Sequence, residues 1–409
     1  MMKRKLFFSG LFLLILILAC SDTTEVQDEI SIAPQNLVFE RPADSDTLVI
    51  DATTSWTVNI GEPWISVEPE AGSGDATVII SVETNDTNSV RETTITFTAG
   101  EADVHLDISQ YFDFAGGSGT ESEPFEIATP IHLKNIQLYL DAHFVQIADL
   151  DLKVFPWVTS PGWIPIGFQF PFSGSYDGNG YLITNMMIDR PDDEHIGLFG
   201  HIDQALLQNI RLVHADVKGE QFVGGLVGKA EDSLIEHCFV TGSINGEAQV
   251  GGIAGISFNT QILSSYTKAD VGGISQTGGV VGRNSEGSII KDVFVTGLIG
   301  GNMQTGGICG ENYQSEVKNS FATGWVAGYV ETGGLIGYNN AGAVTKSYWN
   351  TETTNQQFSS GGGVGKTTED MTYPYAGDAY ENWDFNNIWQ EDSEYQMNQG
   401  YPYLRFFSR

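Results

Sequence analysis

The chain has 409 residues, with 52 acidic against 19 basic side chains and a formal net charge of −33. So acidic a surface argues against nucleic acid and anionic lipid headgroups as direct partners. Hydrophobic residues at 41% and aromatics at 11% exclude a disordered chain, and the length accommodates two or three domains.

Residues 1–20 combine Lys3-Arg4-Lys5 with an apolar run from Leu6 to Ala19. That is the pattern of a secretory signal, and it falls short of the roughly 20 residues a spanning helix needs. The run ends Ile17-Leu18-Ala19-Cys20, which resembles a lipobox. The resemblance implies that Cys20 carries acyl chains such as palmitate, becomes the mature N-terminus and anchors the protein at the outer membrane, exposed at the cell surface. Residues 21–29, opening Ser21-Asp22-Thr23-Thr24-Glu25, read as an acidic tether similar to that of Bacteroidota-type lipoproteins.

Residues 30–111 alternate apolar and polar side chains over short runs, among them Thr47 to Ile50, Trp56 to Val58, Ala76 to Val82, Thr93 to Phe97 and Val104 to Ile108. Turn clusters separate them, and the spacing predicts a seven-stranded β-sandwich. Trp56, Trp64-Ile65-Ser66-Val67, Gly72-Ser73-Gly74, Asn85, Arg91 and the closing Gln110 resemble the BACON domain, an immunoglobulin-like module. The family implies carbohydrate binding or a spacer role. Trp56 and Trp64 have the rings to stack on a sugar, but their place on alternating strands assigns both to the core.

Residues 112–195 are irregular and form the lead-in to a second domain. Asp177-Gly178-Asn179-Gly180 lacks the acidic ligands of an EF-hand loop and reads as a tight turn. Asp192-Asp193-Glu194-His195, with His201 nearby, is the densest group of ligand-type side chains. Without a second spaced set it reads as an exposed loop, and no metal is assigned.

From 196 to 350 the chain repeats itself. The pentapeptides starting at Gly224, Gly251, Gly278, Gly306 and Gly333 recur every 27 or 28 residues, and Ile196-Gly197-Leu198-Phe199-Gly200 is a degenerate earlier copy. A second column keeps the same period: Ile235, Ile262, Ile290, Val317 and Val344 each precede by four residues Phe239, Tyr266, Phe294, Phe321 and Tyr348. Units this short cannot bury their own apolar face and must stack, which predicts an all-β parallel β-helix of about six coils. Leu198, Leu226, Ile253, Val280, Ile308 and Leu335 should line its interior. Cys238 and Cys309 fall in different columns, roughly 14 Å apart along the axis, too far to bridge. The repeats resemble the GLUG motif of bacterial adhesin-like surface proteins. Gly119-Thr120, Pro124-Phe125, Trp163 to Gly167 and Tyr176 to Gly180 resemble the usual approach to such a module.

Strand alternation sends Cys238 and Val240 to one side and Phe239 and Thr241 to the other. Phe239, Tyr266, Phe294, Phe321 and Tyr348 therefore face outward as a candidate ligand-binding stripe, unless a neighbouring segment covers them. Residues 351–409 should cap the open end of the coil. Within them Ser360 to Thr367 nearly spells a P-loop, but no strand precedes it and Pro374 stands where a long helix would have to run, so no nucleotide or other cofactor is assigned.

Acids in the repeats do not recur in one column, and Arg283 with Asp270 is the nearest polar constellation. The function expected is thus a non-catalytic, adhesin-like surface lipoprotein whose partner is a glycan or host polymer. The alternatives are an envelope spacer and a polysaccharide-degrading β-helix enzyme.

Overall fold

The computed structural model describes residues 28–408 except 86, 88 and 155. The signal segment, Cys20 and most of the tether lie outside the described residues. Two compact units follow one another, the first closing at Gln110 and the second running on from Tyr111.

The first unit is a sandwich of a four-stranded and a five-stranded sheet. Ile30–Ala33, Asp44–Ala52, Ala76–Val82 and Ile65–Glu68 make one; Asn36–Phe39, Ala102–Gln110, Arg91–Ala99, Ser55–Asn59 and Ala71–Ser73 make the other. Nine strands stand where seven were expected. The segment 30–39 divides around Pro34, giving each sheet a strand of only four residues. The period of two holds: Leu48, Ile50 and Ala52 are buried while Val49 between them is exposed. Asn85, Arg91 and Gln110 meet at one end. Arg91 Nε donates to Gln110 Oε1 at 2.9 Å, and Asn85 Nδ2 donates to the Gln110 carbonyl at 3.1 Å.

The second unit is the parallel solenoid. Each full coil contributes to four ladders, as with Gln221–Gly224, Val227–Glu231, Leu234–Glu236 and Phe239–Asn245. The ladder through Leu234–Glu236 holds nine strands from Phe125–Ile127 to Ala343–Thr345, so parallel pairing starts well before residue 196. Leu198, Leu226, Ile253, Val280, Ile308 and Leu335 are fully buried in one continuous core. Burying six aliphatic side chains at roughly 1.5–3 kcal/mol each is a large part of what holds the coils together. Cys238 and Cys309 are buried free thiols; burial pushes the Cys238 thiol up to about 12 and raises that of Cys309 as well.

Corners are turned by single residues in the left-handed region. Phe222, Gln249, Gln276, Gln304 and Glu331 form one such column, with φ of 53°, 49°, 51°, 51° and 52°. The repeated glycines have a steric cause. A Cβ on Gly224 would come within 2.1 Å of the Val227 carbonyl oxygen, and one on Gly251 within 2.1 Å of the Ala254 oxygen. Buried polar groups are satisfied along the axis. Asn284 Nδ2 donates to Asn312 Oδ1 at 2.9 Å and Asn312 Nδ2 to Asn339 Oδ1 at 3.1 Å, an amide ladder running between coils.

Candidate functional site

Cys238 and Val240 point into the core while Phe239 turns outward, as alternation requires. The rings stack at coil spacing: Phe239 to Tyr266 at 4.2 Å, Tyr266 to Phe294 at 4.6 Å and Phe294 to Phe321 at 5.3 Å between centroids. The column is nevertheless closed. Tyr266, Phe294, Phe321 and Tyr348 are buried and Phe239 half-buried, in a second core formed with Met371, Tyr380, Trp383, Trp389, Tyr401 and Leu404. Trp389 is keyed in place, its Nε1 donating to Asp292 Oδ1 at 3.1 Å. Trp383 Nε1 donates to the Lys346 carbonyl at 3.1 Å, and Asn350 Nδ2 to the Tyr401 hydroxyl at 2.7 Å. The expected ligand stripe is therefore the seat of the C-terminal segment. An open row of five rings would expose a large apolar surface, and this segment removes it from water.

Other groups singled out in the sequence are engaged by structural partners, and of the acidic loop only His195 comes near His201, their rings stacked with centroids 6.1 Å apart. Arg190 pairs with Asp193 at 3.3 Å, and His195 stacks on Phe222 at 5.0 Å. Burial, then the neighbouring His201 and Lys229, lower the pKa of His195. His201 Nε2 lies 2.7 Å from Glu231 Oε2, which Lys229 Nζ also reaches at 3.0 Å. Burial pushes the Glu231 carboxyl up, but the hydrogen bonds from Lys229 and His201 outweigh it and hold the group below its ordinary value. Among the described residues no three His, Cys, Asp or Glu side chains gather as a metal site.

Arg283 pairs with Glu311 at 3.2 Å, whereas Asp270, on a different sheet, accepts from the Leu298 N–H at 3.0 Å. Lys366 of the P-loop-like stretch pairs with Asp378 at 2.5 Å, and its Gly361 packs on Ile336. Asp177 opens a tight turn, accepting from the Asn179 N–H at 2.7 Å. In the sandwich Trp56 is buried and donates to the Gly74 carbonyl at 3.0 Å, while Trp64 is half-buried with the Arg91 guanidinium 4.1 Å above its ring.

One pair carries no signature in the sequence. His143 Nδ1 and Ser175 Oγ are 2.8 Å apart on adjacent, in-register strands. A serine nucleophile needs its base oriented by a third group. Asp177, the carboxylate two residues on, is committed to Gln208, Asn209 and Asn179. The pair is a cross-ladder contact.

A trough of about 640 Å³ follows a different corner of the coil. Its floor is the register column Asn245, Gly272, Gly300, Ala327. Trp325, half exposed, stands on one bank and Tyr329, 88% exposed, on the other. Ile274 and Asn302 continue the Tyr329 bank toward earlier coils, and Asn355 and Gln356 close the far end. Gln356 is held there by Nε2 donating to the Val326 carbonyl at 2.8 Å. The signal for this corner was present as the column Gly246, Gly273, Gly301, Gly328, which keeps the repeat period.

Residues 54–110 match the BACON family, described as an N-terminal binding domain, and residues 223–245 and 301–327 match the GLUG motif. Over 122 residues, 28% of this chain and 14% of the relative, the sequence is 42% identical to a Gly-rich membrane protein of Evansella cellulosilytica. It is 32% identical over 139 residues to Halomucin of Haloquadratum walsbyi, covering 31% of this chain and 2% of that one. It is 30% identical over 107 residues to a xyloglucan-specific endo-β-1,4-glucanase of Bacteroides ovatus, covering 24% of this chain and 21% of the enzyme. The chain thus spans a small part of the length of each of these relatives.

Proposed function

We propose that this protein is a non-catalytic, surface-associated protein that is anchored at the outer membrane through lipid on Cys20 and binds an extracellular glycan or host polymer. The observation that carries this is the chemistry of the trough. It spans several coils, and its lining includes no carboxylate, imidazole, thiol or amine. General acid–base or nucleophilic chemistry needs such groups at the reacting bond, whereas binding needs shape, ring faces and neutral hydrogen-bonding groups. The membrane and Halomucin names of the relatives, and the binding-domain description of the BACON family, support a surface role.

Incubating the purified protein with a panel of polysaccharides separates the readings. Saturable retention without shortening of the polymer is the expected result. Depolymerisation would establish an enzyme, and neither retention nor cleavage a spacer. The anchor is tested separately: Cys20→Ser should move the protein out of the membrane fraction, and unaltered detergent partitioning would defeat it.

A further inference from the structure

The trough has the features of a seat for one kind of ligand. Successive coils lie about 4.8 Å apart, so the floor from Asn245 to Ala327 extends roughly 14 Å along the axis with a repeating relief. An elongated ligand with its own repeat can lie in it, and a compact one would leave most of it empty. The floor is bare backbone at its centre, where a Cβ built on Gly300 meets no atom within 4 Å. Trp325 and Tyr329 belong to the next coil, two residues before and two after Ala327, the register partner of Gly300 at the end of that floor. Their neighbours Asn302 and Asn355 are exposed amides, able to donate and accept with hydroxyl groups.

Charge selects further. Beyond the lining, Asp270, which precedes Leu298 and Trp325 in register, and Glu247, which precedes Ile274, are exposed carboxylates on the earlier coils. Neither bank carries a Lys or Arg to pair with an anion, and the chain as a whole has a net charge of −33. A polyanion is therefore repelled. A peptide strand finds little edge to join: Asp270–Gly272 and Ile299–Gly300 pair with strands on both sides, and the outer side of Val326–Ala327 is taken up by the Thr354 carbonyl, which accepts from the Val326 N–H, and by the Gln356 side chain, which donates to the Val326 carbonyl.

We propose that the trough binds a neutral, extended polysaccharide along the solenoid axis, with the Trp325 and Tyr329 rings holding one sugar unit at the Ala327 end of the floor, next to Gly300. This rests on the proposal that the protein binds a polymer, and it adds the place and the chemical class.

The test uses the full chain, with neutral polysaccharides (a β-glucan, a xyloglucan, a mannan) and an acidic one (polygalacturonate), read by affinity electrophoresis or calorimetry. Trp325→Ala removes a ring face, and Gly300→Leu fills the floor from a position where the added side chain meets only open space. Each should weaken binding of a neutral polymer about tenfold, as loss of an aromatic contact predicts, with an unchanged melting temperature. Equal binding by wild type and both variants would place the ligand elsewhere, overturning the trough site while leaving the polymer-binding function intact. Binding of polygalacturonate that both variants lose would overturn the neutral class. Wild-type protein that retains no polymer would overturn both this site and the function it rests on.

Discussion

Two lengthwise columns of the solenoid both face outward and differ in fate. Phe321 and Trp325 lie four residues apart in one coil, and both are outward-facing aromatics. Phe321 is fully buried under Trp383, Trp389 and Tyr401, whereas Trp325 is half exposed above a glycine floor. The repeat decides that a side chain leaves the core. Whether it meets water is decided by the aperiodic segment after the last coil, which lies on one column and only borders the other.

That contrast breaks most sharply by truncation. Phe321→Ala should cost about 3–5 kcal/mol, the usual penalty for removing a packed ring, and Trp325→Ala no more than about 0.5 kcal/mol. Denaturant midpoints of the two variants measure the difference, and equal losses would mean that the covering segment is not seated as described. Trp389→Ala, which also leaves Asp292 without its indole donor, should resemble Phe321→Ala and add binding of an apolar dye to the uncovered rings.

A second pair sharpens the account of the trough floor. A Cβ on Gly301 would lie 2.3 Å from Thr305 Oγ1 inside the coil, so Gly301→Ala should cost about 1–3 kcal/mol through overpacking. Gly300→Ala, one residue away and facing open space, should be neutral or stabilising by up to about 1 kcal/mol through the unfolded chain. Thermal melts that reverse this order would show that the two glycines face the other way.

The smallest effect concerns acid. Burial alone would raise the Asp392 carboxyl, but N–H groups of Gly400, Asn398, Met397 and Gln396 at 2.8–3.2 Å outweigh it and hold the pKa below its ordinary value. A depressed carboxyl binds fewer protons folded than unfolded, so its contribution is full above the unfolded pKa of about 3.9 and is lost as pH falls through the folded value. The covering segment should loosen in that acid window, and Asp392→Asn should flatten the loss while weakening the segment at neutral pH. An identical acid limb in the variant would remove Asp392 from the account.

The inner ladder was legible because its physics is periodic: Leu226, Ile253, Val280, Ile308 and Leu335 recur at the coil length and are buried as that period demands. The outward direction of the Phe239 column was legible for the same reason. Its cover was not, since Trp383, Trp389 and Tyr401 share no spacing with the rings they meet. Early coils leave no period because Phe125, Phe144 and Tyr176, stacked in one ladder, are separated by unequal loops that erase it. The trough leaves a fainter mark. Its glycines keep the repeat, but the side chains beside them change from coil to coil, Ile274 to Asn302 to Tyr329, so no residue type marks the column.

Tryptophan accessibility tests both columns at once. Of the eight tryptophans, Trp325 is the exposed one and Trp64 is half-buried, while Trp56, Trp157, Trp163, Trp349, Trp383 and Trp389 are buried. Collisional quenching by a neutral quencher, with and without a retained neutral polysaccharide, should find an accessible fraction that falls in Trp325→Phe and is shielded by the polymer in the wild type. An accessible fraction unchanged by the substitution, or unshielded by bound polysaccharide, would contradict a sealed aromatic column beside an open binding trough.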